Sequence, residues 1–214
     1  DTVAARRVAE RGGAALERML VRLPNNGGMA SLWHQTLGPA VWRVKDTLSL
    51  AGYSAGDGGF PPELYLLMKL RHFALTGRPK RMRAYADSAV AQLEPALRRA
   101  PDVRLFHAHS RRAILAEAYA RLGRAADATR EIERYLAEAR AGRPNAVPNA
   151  LVNAAYVDVL TGRRDEAVAR LSEALRLPAG IVISPALLRA EASWAPLRGH
   201  PGFERLLAAS PPRS

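Results

Sequence analysis

Apolar positions recur at helical spacing through most of the chain, and glycines interrupt them where helices would fold back. Before Gly123, the residues Leu115, Ala118, Tyr119 and Leu122 fall at i, i+3, i+4 and i+7; after it, Ala128, Ile132, Tyr135, Leu136 and Ala139 repeat the spacing. Around Gly162, Leu151, Ala154 and Ala155 precede the glycine, and Ala167, Val168, Leu171, Ala174 and Leu175 follow it. A looser copy surrounds Gly77, from Phe73 to Ala89. Glycine suits these joins because it takes positive φ cheaply and ends one helix so that the next can return. Pro101 and Pro178 then stop the second helices of their pairs. The spacing predicts an all-α chain of antiparallel helical hairpins, with three over residues 63–178.

Outside that stretch the pattern changes. Residues 1–62 predict a helix over 2–23, relaxed at Gly12-Gly13, and another over 28–51, interrupted near Gly38-Pro39. Trp33 and Trp42 lie on the second of these with Leu37, Val41 and Leu48, and core packing is the expected role. A glycine-rich loop over 52–59 leads to Pro61-Pro62, which opens the next helix. Residues 179–214 predict a closing segment. Ser184 caps a short helix with Pro185 at its first position, and Trp194, Leu197, Phe203, Leu206 and Leu207 supply an apolar cover for the last hairpin.

The hairpins resemble the tetratricopeptide repeat, which sets a small residue and an aromatic in the first helix, glycine at the turn and alanines in the second. Ala116, Tyr119, Gly123 and Ala128 match one copy, and Ala155, Gly162, Ala167 and Ala174 another. Asp158 stands where that pattern has its aromatic, and Met82 or Ala86 serves for an alanine in the third copy. Leu23-Pro24-Asn25-Asn26 is similar to the family's turn between repeats, which implies that residues 2–23 are the second helix of an earlier hairpin and that residues 1–62 hold a degenerate repeat. The turn glycines are 46 and 39 residues apart against ~34 for ideal repeats, so helices or connections are enlarged. The tail from Ser184-Pro185 through Trp194 to Leu207 resembles the segment closing the repeat region of bacterial serine/threonine kinases and winged-helix regulators. The resemblance implies a right-handed superhelical solenoid, and a chain that is the C-terminal part of such a protein or a stand-alone relative. The start at Asp1 agrees with a fragment or a processed chain.

The same resemblance implies a protein–protein interaction scaffold, since the family's first helices line a concave groove that binds peptides. Register counted from Gly162 puts Asn149, Val152, Asn153, Tyr156 and Leu160 on that inner face. From Gly123 the inner positions are Ser110, Ala113, Ile114, Glu117 and Arg121, and from Gly77 they are Leu67, Met68, Arg71 and Leu75. Asn149 and Asn153, one helical turn apart, can turn both amides to one backbone or carboxylate. The expected groove residues are therefore Arg71, Glu117, Arg121, Asn149, Asn153 and Tyr156.

Composition adds charge to this picture. The net charge is +12, and residues 71–112 hold ten basic residues against three acidic ones. The candidate basic patch is Arg78, Lys80, Arg81, Arg83, Arg98, Arg99, Arg111 and Arg112. It would draw an acidic protein partner by long-range field, and nucleic acid is the alternative partner. Only three basic residues are lysine, a bias that a GC-rich genome produces on its own, and a solvated basic face is the plainer account.

Chemistry is not expected. Cysteine is absent, so disulfides and thiolate metal sites are excluded. No kinase motif occurs, and the glycine-rich stretches 27–28 and 52–59 lack the Lys-Ser/Thr ending of a phosphate loop. His107 and His109, two apart, would point about 200° apart on a helix and could not share a metal. The expectation is no enzyme, no cofactor, no metal and no membrane span, in a cytoplasmic protein with the periplasm left open.

Overall fold

The computed structural model describes residues 62–75, 77–99, 104–105, 109–142, 144–177 and 183–209. The helices expected over 2–23 and 28–51, the Leu23-Pro24 turn, Trp33, Trp42 and the loops 27–28 and 52–59 lie outside them. The described residues are overwhelmingly helical. In order they form α1 (Pro62–Leu75), α2 (Pro79–Arg99), strands β1 (Arg104–Leu105) and β2 (His109–Ser110), α3 (Arg111–Arg121) and α4 (Ala125–Gly142). A 3-10 turn (Pro144–Ala146), α5 (Val147–Leu160), α6 (Arg164–Arg176), α7 (Pro185–Ala190), a 3-10 segment (Ala192–Leu197) and α8 (Pro201–Ala208) follow. No described helix is long and apolar enough to cross a membrane.

The chain divides into two compact units, Asp1–Met82 and Arg83–Ser214. In the first, α1 buries Leu66, Leu67, Leu70 and Phe73. Gly77 follows it at φ 68°, and the Arg78 N–H returns to the Phe73 carbonyl at 2.9 Å, which closes the helix end. Arg81 sets its guanidinium 5.6 Å from the Phe73 ring centre.

In the second unit, α3 packs on α4 and α5 on α6, each pair joined at a left-handed glycine, Gly123 (φ 81°) and Gly162 (φ 80°). Alanines make the close approach possible: Ala116, Ala118, Ala128, Ala154, Ala155, Ala167 and Ala174 are fully buried. Ala86, Ala89 and Leu93 give α2 a buried stripe of its own in this unit. Helix α5 also packs against α3 and α4, which explains why it is apolar nearly all round.

The tail packs onto the second hairpin. The 3-10 segment lies against α5 and α6, and α8 against α6 and α7. Trp194, Leu197, Phe203 and Leu207 are buried, and Leu206 is half-buried. Side chains of arginine fasten this segment to backbone carbonyls: Arg164 donates to Pro196, and Arg189 to Leu207 at 2.8 Å. Gly202 lies close against α6: a Cβ there would stand 2.8 Å from Val168 Cγ1, so α8 or that side chain would have to shift. His200 caps α8: its Nδ1 accepts from the Gly202 N–H at 3.2 Å, which leaves Nε2 to donate to Asp165 at 2.8 Å.

Candidate functional site

Helix α5 carries one open stripe. Asn149, Val152, Asn153, Tyr156 and Leu160 are all half-exposed, while Pro148, Ala150, Leu151, Ala154, Ala155, Val157, Asp158 and Val159 are buried. These five open positions are the ones that register from Gly162 sets on the inner face. They recur at three and four residues and so share one side of the helix. Asn149 and Asn153 are both engaged in polar or electrostatic interactions.

Tyr156 ties the stripe to the neighbouring hairpin. Arg121, at the end of α3, donates from Nη2 to the Tyr156 hydroxyl at 2.5 Å, and its guanidinium carbon lies 5.8 Å from that ring's centre. Glu117, one turn earlier on α3, is 2% exposed and stands 3.5 Å from Arg121. On its other side, Tyr156 meets Trp194 of the tail edge-on, with ring centres 6.0 Å apart. Three residues expected in the groove, Glu117, Arg121 and Tyr156, thus converge from two helices. Arg121 Nε is buried and has no hydrogen-bond acceptor among the described residues.

Apart from the half-exposed Arg121, the expected α3 lining is closed, Glu117 included. Ser110 is fully buried and caps α3, its hydroxyl accepting from the Ala113 N–H at 3.0 Å. Ala113 and Ile114 belong to the core at 6% and 1% exposure. The physical reason is that α3 is packed against both α4 and α5, so the register that opens on α5 is covered here. In the first unit, Leu67 is also buried and Arg71 is half-exposed with a partner of its own. The side chains of Met68 and Leu75 lie outside the described residues.

The basic residues divide between the two units. Arg78, Lys80 and Arg81 are exposed in the first; Arg83, Arg98 and Arg99 are exposed in the second. Arg111 is half-exposed and engaged. Arg112 is held by two carboxylates, donating from Nη1 to Glu131 at 2.9 Å and from Nε to Glu138 at 2.8 Å. The His109 backbone lies in a two-residue strand paired with Leu105, a ladder that helical periodicity did not announce.

One buried charge went unseen in function terms although its position was marked. Asp158, fully buried, stands 2.7 Å from Arg170 Nε and 3.5 Å from Arg163 Nη1, neither contact lying on a hydrogen-bond line. Burial pushes its carboxyl up to about 6, against the pull of Arg170 and Arg163. Comparison with protein-family models, curated proteins and solved structures returns no match for the chain.

Proposed function

We propose that the chain is a protein–protein interaction scaffold of the tetratricopeptide type, its hairpins stacked in a right-handed superhelix, which holds a peptide or an acidic protein surface along the open stripe of α5. The observation that carries this reading is the stripe itself: five half-exposed positions on one side of a helix that is otherwise buried beyond its first residue, Val147, two of the five being asparagines, flanked by Arg121 on Tyr156. Asparagine amides can pair with both the donors and the acceptors of an extended backbone, and the half-exposed Tyr156 offers an apolar face with a polar tip. Arg121, paired with Glu117 at 3.5 Å, is the basic group beside the stripe. No cofactor enters this function. In a larger assembly the chain would act as a docking module or accessory subunit.

The test is selection from a displayed library of extended peptides, followed by affinity measurement on the winners by fluorescence anisotropy. Acidic peptides are expected to dominate. Asn153→Ala and Arg121→Gln should each weaken them by about tenfold, the scale of one lost charge-assisted or paired hydrogen bond. Arg83→Gln should leave affinity unchanged. Peptides that bind both stripe variants as tightly as the parent would sink the reading. So would salt-sensitive retention of nucleic acid as the chain's dominant binding, which would transfer the function to the basic residues of 71–112.

A further inference from the structure

On α3, the residues Arg112, Leu115 and Tyr119 share a face about 200° around the helix from Glu117 and Arg121. That second face opens into a cleft of about 400 Å³ between α2, α3 and α4, within the unit Arg83–Ser214. Five arginines line it, Arg98, Arg112, Arg124, Arg130 and Arg134, against two carboxylates, Glu94 and Glu131. Glu94 accepts from the Tyr119 hydroxyl and stands 3.5 Å from Arg98 and 3.8 Å from Arg124. Glu131 is shared by Arg112 at 2.9 Å, Arg134 at 3.0 Å and Arg130 at 3.8 Å. Asp127 and Glu138 hold Arg124, Arg130 and Arg112 from further out.

Glu94, Glu131 and Asp127 therefore hold two or three guanidinium groups each, and positive charge is left over. Arg98, Arg130 and Arg134 keep 69%, 49% and 56% of their side-chain surface in contact with solvent. Each guanidinium has five N–H donors, so the one carboxylate that meets Arg98 or Arg134, and the two that meet Arg130, leave donors open. Leu97, Leu115 and Tyr119 add apolar wall to the same cleft. We infer that this cleft is a binding site for a phosphate monoester, the phosphate held by the guanidinium forks of Arg98, Arg130 and Arg134 and the ester's organic part resting on Leu97, Leu115 and Tyr119. Arginine forks match the oxygens of a phosphate in pairs, and three forks lining one cleft suit a dianion with three free oxygens better than a planar monocarboxylate. Arg112, at 17% side-chain exposure and doubly paired, positions Glu131 rather than meeting the ligand. The site stands apart from the α5 stripe, so either can fail without the other.

Two sources supply such an ester: a phosphorylated side chain of another protein and a small phosphorylated metabolite. Isothermal titration of the full chain separates them with N-acetylphosphotyrosine amide, glucose 6-phosphate, inorganic phosphate and acetate as probes. At least one ester should bind saturably and more tightly than inorganic phosphate, with acetate weakest. The phosphotyrosine probe binding more tightly than the sugar phosphate assigns a phosphorylated side chain; the reverse order assigns a metabolite. Arg98→Gln with Arg134→Gln, both exposed, should weaken the better ester about tenfold or more while the melting temperature and the affinity of stripe-bound peptides stay unchanged. Arg176→Gln, exposed and outside the cleft, serves as the charge control. The inference is overturned if no ester binds, if inorganic phosphate or acetate binds as tightly as both esters, or if the double variant binds like the control.

Discussion

Counted back from the turn glycine, Tyr119 of the hairpin α3/α4 and Asp158 of the hairpin α5/α6 occupy the same place. Both give their carbonyl to the N–H of the arginine that follows the glycine, Arg124 at 2.9 Å and Arg163 at 2.8 Å. Phe73 and Arg78 repeat the bond at Gly77. The backbone device is thus constant while the side chain at that place runs from aromatic to ionic. In the first hairpin Arg124 lies over the Tyr119 ring at 4.2 Å; in the second, Arg163 lies 3.5 Å from the Asp158 carboxylate. One arginine position serves both partners, because a guanidinium both stacks on rings and pairs with carboxylates. What differs is the energetic consequence. A buried ring gains from leaving water, whereas a buried carboxylate is desolvated and must be compensated by Arg163 and Arg170.

The sharpest way to break the comparison is to delete each side chain. Tyr119 is 4% exposed and fills the space between its helices, so Tyr119→Ala should cost about 3–5 kcal/mol in urea unfolding, the range for large aromatic truncations in cores. Tyr119→Phe, which removes only the bond to Glu94, should cost about 1 kcal/mol. A loss below about 1 kcal/mol for the alanine variant would mean that the ring is not what holds α3 to α4.

At Asp158 the effect depends on pH, and its sign is opposite to that of an ordinary paired carboxylate. The folded carboxyl titrates at about 6 and the unfolded one near 3.8. Below both values the group is neutral in either state and costs nothing. As pH rises through this window the unfolded chain gives up its proton first, and stability falls. Above about 6 the loss is complete, at up to roughly 3 kcal/mol. Asp158→Asn should remove that decline, so the stability difference between variant and parent should shift by about 2–3 kcal/mol in the variant's favour from pH 4 to pH 7. A constant offset across those pH values would show that the carboxylate is not desolvated, and the contrast with Tyr119 would vanish.

Sequence made these two places comparable because the information was local. Gly123 and Gly162 punctuate two apolar periods, and offsets from them found Tyr119, Asp158 and the open stripe of α5. The same count failed on α3, where Ser110, Ala113, Ile114 and Glu117 are inside. Register names a face of a helix, and whether a neighbouring helix covers that face is decided by packing between distant segments. The ionic pairs were illegible for the same reason: Arg112 meets Glu131 and Glu138 from 19 and 26 residues away, and Arg170 meets Glu133 from 37. Composition registered only an excess of arginine. That Glu94 and Glu131 gather five arginines around one cleft needed the helices in place.

The glycines themselves sharpen the comparison most cleanly. At Gly123 and Gly162 a Cβ would meet nothing within 4 Å, so alanine adds no clash and only the left-handed backbone is at issue. An L-residue held at positive φ costs roughly 1–2 kcal/mol. Gly123→Ala and Gly162→Ala should therefore destabilise the chain by the same amount, at pH 4 and at pH 7 alike, as read from paired urea melts. Equality would locate the whole difference between the hairpins in the side chains of Tyr119 and Asp158. A larger loss at Gly162, appearing only at pH 7, would mean that its turn carries part of the strain of the buried carboxylate, and that backbone and side chain are not separable there.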